Sequence, residues 1–304
     1  MTSKFDALIS LIEDPDSNIR TEIAEKILEL GDSILPTLKD SLENKSFDSP
    51  EGYQALQQLI EEIEFKSICR KIKTWFDEGA SSLLEGLWLI SHLSGSEVSL
   101  EEINKEIERI KLEVWLELRP ELTALEKINI LNHVFFKRFN FAADIHSYHS
   151  PDNSFIHKVI KRRKGNPISI ACLYALVAQR LFIPVYGVNL PQHFILAYVD
   201  LEDLPEPGAD SKGLTGNPPL DAPILFYINP FNEGTVFGKK HIEKFLHNLQ
   251  IDDLDTDFFT PCTNQTILLR VCRNLINAYG MKNKTVKVSQ YSFLLQLLSH
   301  EQEK

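Results

Sequence analysis

Hydrophobic residues in the first forty positions return at helical rather than alternating spacing. Phe5, Leu8, Ile9, Leu11 and Ile12 fall on one face, and Ile19, Ile23, Ile27, Leu28 and Leu30 form the stripe of a second helix. Asp14-Pro15-Asp16 separates them: the proline breaks the first helix, and Asp16 or Ser17 can cap the second. Gly31 stops that helix, and Ile34, Leu35 and Leu38 carry the apolar face further. A second helical block runs over 51–76, with Tyr53, Leu56, Leu59, Ile60, Ile63, Ile68, Ile72, Trp75 and Phe76 as its apolar positions.

Gly79-Ala80-Ser81-Ser82 reads as a boundary, because these residues offer little to pack. Beyond it the spacing predicts helices over about 82–93, 99–119 and 122–137, the second opened by Ser99 with Glu102 as a capping box. Periodicity is lost over 138–153. Asp144, His146, His149 and Asp152 are dense in metal-ligand types there, but without the helical or Cys-x-x-Cys spacing that makes a metal site convincing, so the stretch reads as a polar loop. Ser154 can cap a short helix through Ile160. Lys161-Arg162-Arg163-Lys164 then reads as a solvated helix end with Gly165 as its C′ residue, the alternative being an anion or acidic-partner site.

Asn166-Pro167 opens a helix: asparagine is a good N-cap and proline suits the first helical position. The run 168–181 is apolar nearly all round, so this helix is buried. Strand-like runs follow at 184–188 and 193–199, then a Pro-, Gly- and Asp-rich excursion at 203–223, then a strand at 224–229 ended by Pro230. Helices at about 239–249, 264–279 and 284–299 complete the chain. A helix followed by antiparallel strands predicts an α+β core. The expected organisation is a helical region 1–78, a central domain 79–250 and a C-terminal helical segment 251–304.

Composition narrows the function. At 304 residues and 34.8 kDa the chain can bury a core without staples, and its 43% hydrophobic and 25% charged shares are ordinary for a globular protein. The formal charge of −11 argues against nucleic acid and against anionic membrane surfaces. No apolar run approaches a bilayer span, and Asp6 precedes any leader-like apolar segment. Cys69, Cys172, Cys262 and Cys272 lack paired spacing, so reduced thiols and a cytoplasmic location are expected.

The N-terminal Asp-Pro-Asp with its charged amphipathic helix resembles a HEAT-type repeat, which needs neighbours to bury its face. A buried helix, then a strand with His193, then a strand ending in Asn229-Pro230 is the order of the transglutaminase-like (papain-like) fold. The strings Arg-Arg-Lys-Gly-Asn-Pro-Ile-Ser-Ile (162–170), Phe182-Ile183-Pro184, Leu190-Pro191-Gln192-His193-Phe194 and Ile228-Asn229-Pro230-Phe231 resemble the bacterial SirB-type branch of that superfamily. In catalytic members a cysteine stands at the N-terminus of the central helix, with His and Asp on the two strands. A helix pole stabilises thiolate, His shares the proton and the acid orients His.

Against that pattern the resemblance puts Pro167 in the nucleophile slot and Asn229 in the acid slot, with His193 alone keeping its usual identity. Proline has no ionisable group, and asparagine can hold an imidazole but cannot stabilise imidazolium as a carboxylate does. Cys172 lies five positions past Pro167, turned by about 140° and ~7.5 Å along the axis, away from the pole. It reads as a core thiol. Ser169 is on roughly the opposite face from Pro167. The expectation is a non-catalytic transglutaminase-like protein that binds a protein or peptide partner, with Asn166, Ser169, His193 and Asn229 as cleft residues and no cofactor or metal. The alternative is a cysteine-type acyl transferase or hydrolase with His193 as base and a nucleophile elsewhere. Oligomeric state is left open.

Overall fold

The structure is a computed structural model that describes residues 4–44, 49–96, 98–201, 213–214, 216–219 and 222–299. Much of the 203–223 excursion lies outside the described residues. The chain divides into two compact units, Met1–Ile72 and Lys73–Lys304.

The first unit is helical. It contains α1 (Lys4–Ser10), α2 (Ser17–Leu30), α3 (Leu35–Asn44) and most of α4 (Pro50–Asp77). Asp16 caps α2, its side chain accepting from Asn18 N–H at 2.8 Å, and Gly31 ends it at φ +57°. Ile9, Ile23, Ile27, Leu38, Leu56 and Ile63 are buried in a single apolar cluster. Polar bonds tie distant segments together: Ser67 donates to Asp32 at 2.7 Å, and Ser49 N–H to Glu13 at 3.0 Å.

The second unit is α+β. Helices α5 (Leu83–His92), α6 (Leu100–Trp115) and α7 (Ala124–Asn132) come first, α7 running into a π-helical turn at His133–Arg138. Short strands β1 (Ala142–Ala143) and β2 (Lys164–Gly165) pair in parallel and flank α8 (Ile156–Arg162). Then come α9 (Pro167–Gln179), β3 (Val185–Leu190), β4 (His193–Val199), β5 (Ile224–Asn229) and β6 (Thr235–Phe237). Strands β3 to β6 form an antiparallel sheet in chain order. Helices α10 (Lys239–Asn248), α11 (Asn264–Gly280) and α12 (Thr285–Ser299) follow. Among the described residues no helix is long and apolar enough to cross a membrane.

Strand alternation sorts the sheet's two faces. Val188, Leu190, Ile195, Ala197 and Tyr227 pack with Ile242 and Leu246 of α10. Gly187, Phe194 and Leu196, on the opposite face, border a small void with Cys172 and Ala175 of α9 and Ile267 of α11. Gly187 has no side chain for a packing reason: a Cβ there would stand 2.6 Å from the Phe194 ring. The segment 79–82 is held within this unit, since the Asn264 amide donates to the carbonyls of Ala80 (2.9 Å) and Ser81 (3.2 Å).

Two local expectations change. Phe155, not Ser154, is the N-cap residue of α8, because 151–154 form a 3-10 turn of their own. The left-handed residue ending α8 is Arg163 (φ +57°), not Gly165. A non-glycine there carries strain. It is offset by contacts remote in sequence: the Arg163 guanidinium lies 4.7 Å from the Phe141 ring centroid and pairs with Glu106 at 3.0 Å. Gly165 is instead part of β2.

Candidate functional site

The N-terminus of α9 is built by Gly165, Asn166, Pro167 and Ser169. Gly165 makes room: a Cβ there would lie 2.4 Å from the Ser169 hydroxyl. Asn166 caps the helix, Oδ1 accepting from Ser169 N–H at 3.0 Å, while the Ser169 oxygen accepts from Asn166 N–H at 3.1 Å. This is a reciprocal capping box. Pro167 fills the first helical position, where its missing N–H has no intrahelical partner to lose. The Asn166 amide also donates to Ser154 Oγ at 3.0 Å. Asn166 (6% exposed) and Ser169 (5%) are therefore buried, with their polar groups engaged in holding the helix start.

The loop before α8 is fixed by a second network. Asp144 is buried, pairs with Arg162 and accepts from Ser147 N–H at 3.1 Å; these contacts hold its carboxyl below the usual range against the desolvation that opposes them. The Asn153 amide donates to the carbonyls of Ser147 (2.7 Å) and Tyr148 (3.2 Å). Asp152 pairs with Lys158 at 2.7 Å. His146 and His149 are exposed. Among the described residues no group of three His, Cys, Asp or Glu side chains is placed to hold a metal ion.

His193 opens β4 opposite Leu190, across a tight turn in which Gln192 is left-handed (φ +58°). Asn229 ends β5; its Oδ1 accepts from Phe231 N–H at 3.1 Å, and its side chain hydrogen-bonds His193. Burial lowers the pKa of the imidazole, the Asn229 bond opposes that, and the Arg270 charge lowers it further, so the surroundings favour the neutral ring. By alternation His193 shares the face of Ile195 and Ala197, and its ring lies 5.9 Å from Phe245 of α10. The structure thus brings His193 and Asn229 together. It aims the imidazole toward α10, on the sheet face opposite the one that borders Cys172 and Ala175 of α9.

Sequence reasoning missed the surroundings of this pair. Arg270 of α11 donates to Asn189 Oδ1 (3.3 Å) and to the Leu190 carbonyl (3.2 Å), and it pairs with no carboxylate among the described residues. Tyr148, 41% exposed, lies 6.1 Å from Phe231. A loop, a strand end and a helix remote in sequence meet here, and no local motif marks that.

The thiols are poor nucleophiles. Cys172 (2% exposed) and Cys272 are buried, and Cys69 and Cys262 partly so. Burial raises all four thiols: Cys69 to about 11, Cys262 and Cys272 to about 12, and Cys172 upward as well.

Residues 101–273 match the transglutaminase-like superfamily. The chain belongs to that superfamily, and its similarities place it with the SirB-type members. A Xylella fastidiosa UPF0162 protein is 30% identical over 159 residues, 51% of this chain and 49% of that protein. Protein SirB1 of Salmonella typhimurium is 25% identical over 161 residues, 53% of this chain and 52% of that protein. Mouse F-box only protein 21 is 32% identical over 116 residues, 38% of this chain but 16% of that protein. The chain spans about half the length of the first bacterial relatives it matches. No solved structure matches it.

Proposed function

We propose that this chain is a non-catalytic transglutaminase-like protein acting as a protein- or peptide-binding module, with Pro167 in the slot that catalytic members give to cysteine. The observation that carries the reading is the α9 pole. Asn166, Pro167 and Ser169 close it with a buried capping box and leave no ionisable group there. The raised thiols agree, since a nucleophilic cysteine needs its pKa lowered. The peptide-binding half is supported by the exposed Tyr148, 6.1 Å from Phe231, and by Arg270, whose guanidinium has no carboxylate partner among the described residues.

Iodoacetamide labelling of the full chain tests the slot. Wild type labels slowly at all four cysteines, while Pro167→Cys adds a thiol at a helix pole that labels faster than any of them at pH 7. Rapid stoichiometric labelling of a native cysteine would overturn the non-catalytic reading. A Pro167→Cys thiol no faster than Cys172 would overturn the slot. For the binding half, a cytosolic partner retained by wild type is lost on Arg270→Gln with Tyr148→Ala; a partner retained equally by this variant would place binding elsewhere.

A further inference from the structure

Beside α8 lies a cleft of about 740 Å³ whose lining differs in charge from the rest of the molecule. The chain as a whole is acidic, with 43 carboxylate side chains against 32 Lys and Arg. Five Lys and Arg line this cleft against two carboxylates, Glu102 and Glu106. Glu106 is shared by two guanidiniums, at 2.9 Å from Arg109 and 3.0 Å from Arg163, so that trio keeps a net positive charge. Lys158 and Arg162 pair with Asp152 and Asp144, which are not part of the lining. Lys161 is exposed and has no ion pair among the described residues.

The same lining contains polar atoms without partners. Arg163 Nη1 and both ring nitrogens of His157 are shut off from solvent and make no hydrogen bond. Buried groups of this kind are costly when left without a partner, and almost all such groups in native proteins are satisfied. Two orphaned side chains on one cleft, beside an unpaired ammonium, is a combination that packing does not require. Arg163 is also held in a left-handed backbone conformation, and strained residues of this sort concentrate at ligand clamps.

We propose that this cleft is a binding site for a phosphate-bearing small molecule, with the exposed Lys161 facing it directly and the half-buried Arg163 and His157 side chains turning to bring their unpartnered nitrogens onto the phosphate. The guanidinium, the imidazole and the ammonium supply separate donors, which suits the several oxygens of a phosphoryl group. A lone carboxylate is matched by one coplanar arginine fork. The volume falls within the range of small-molecule sites, about 300–1,000 Å³, and exceeds what a single phosphate needs. Val98, Ile103 and Ile160 supply apolar wall for the remainder of the ligand. The site is separate from the α9 pole and does not depend on the non-catalytic reading. It gives the basic run 161–164 the second of the two roles its sequence allowed.

Isothermal titration of the full chain at low ionic strength with inorganic phosphate, pyrophosphate and ATP tests the proposal. Pyrophosphate and ATP bind saturably at one site, and inorganic phosphate more weakly. Arg163→Gln weakens pyrophosphate at least tenfold and Lys161→Gln at least threefold, while Lys282→Gln, on the exposed surface, leaves it unchanged. Should Arg163→Gln fail to fold, Lys161→Gln decides, because that side chain is exposed and its loss removes no packing. No saturable binding of any of the three probes, or affinities unmoved by Lys161→Gln in folded protein, would overturn the site. Equal affinity for citrate would overturn its assignment to phosphate.

Discussion

The two ends of the 156–169 stretch treat their polar groups in opposite ways. At the start of α9, Asn166 and Ser169 satisfy each other, and the leftover Asn166 amide reaches Ser154. On α8 and at its C-cap, a few residues earlier, His157 has two unpartnered nitrogens and Arg163 has one. The polar atoms at issue are shut off from solvent at both places, although His157 and Arg163 themselves are only half-buried, so atom burial alone does not separate them. Hydrogen-bond satisfaction does. A site whose polar groups are all engaged holds the fold in place, whereas one with donors to spare is incomplete as a purely structural element.

The sharpest test of the satisfied end is Gly165→Ala. The new Cβ would stand 2.4 Å from Ser169 Oγ and 3.2 Å from side-chain atoms of both Ile170 and Val159, so either the cap or α8 must move. Overpacking together with a lost cap gives an expected loss of about 2–4 kcal/mol, read by urea denaturation. A change under half a kcal/mol would show that the cap is not rigid. Asn166→Ala comes next. It removes the cap and the bond to Ser154 without adding bulk, and costs about 1–2 kcal/mol.

The unsatisfied end predicts the opposite sign. His157→Phe replaces an imbalanced polar ring by an apolar one of similar shape, and such exchanges are nearly neutral or stabilising by up to about 1 kcal/mol in ligand-free protein. A loss of 2 kcal/mol or more would mean that the imidazole has a structural partner, and the contrast between the two ends would collapse.

How much of this could be read from the chain depended on whether the cause was local. Helix α9 and strands β4 and β5 were legible, because an Asn-Pro start, an all-apolar run and bounded β-rich runs are local signals. The nearness of His193 and Asn229 followed from the family's strand order. Arg163 as the end of α8 was not legible: left-handed residues are usually glycine, and this one is stabilised by Phe141 and Glu106, 22 and 57 positions away. Strand β6 has three residues, too few for alternation to show. The direction of His193 toward α10 depends on register, and register is a property of paired strands rather than of either one.

A further effect is in the acid range, and it again separates the two ends. Burial, with help from Lys158, pushes His157 down to about 4, below the ordinary histidine value of 6.5 in an unfolded chain. A histidine depressed in the folded state favours the neutral ring, so its contribution to stability is complete above pH 6.5. As pH falls the unfolded chain takes up the proton first, and that contribution is lost progressively, until pH passes below about 4 and both states are protonated. His193 is shifted the same way and adds a loss of the same sign. Wild type therefore loses stability between about pH 6.5 and 4, and His157→Phe removes part of that slope. Asn166→Ala lowers the curve without changing its slope there, because the cap holds no titrating group. Melting temperatures across the range for the three proteins make the comparison. Identical slopes for wild type and His157→Phe would show that the ring is already solvated or paired, and the unsatisfied end would then resemble the satisfied one.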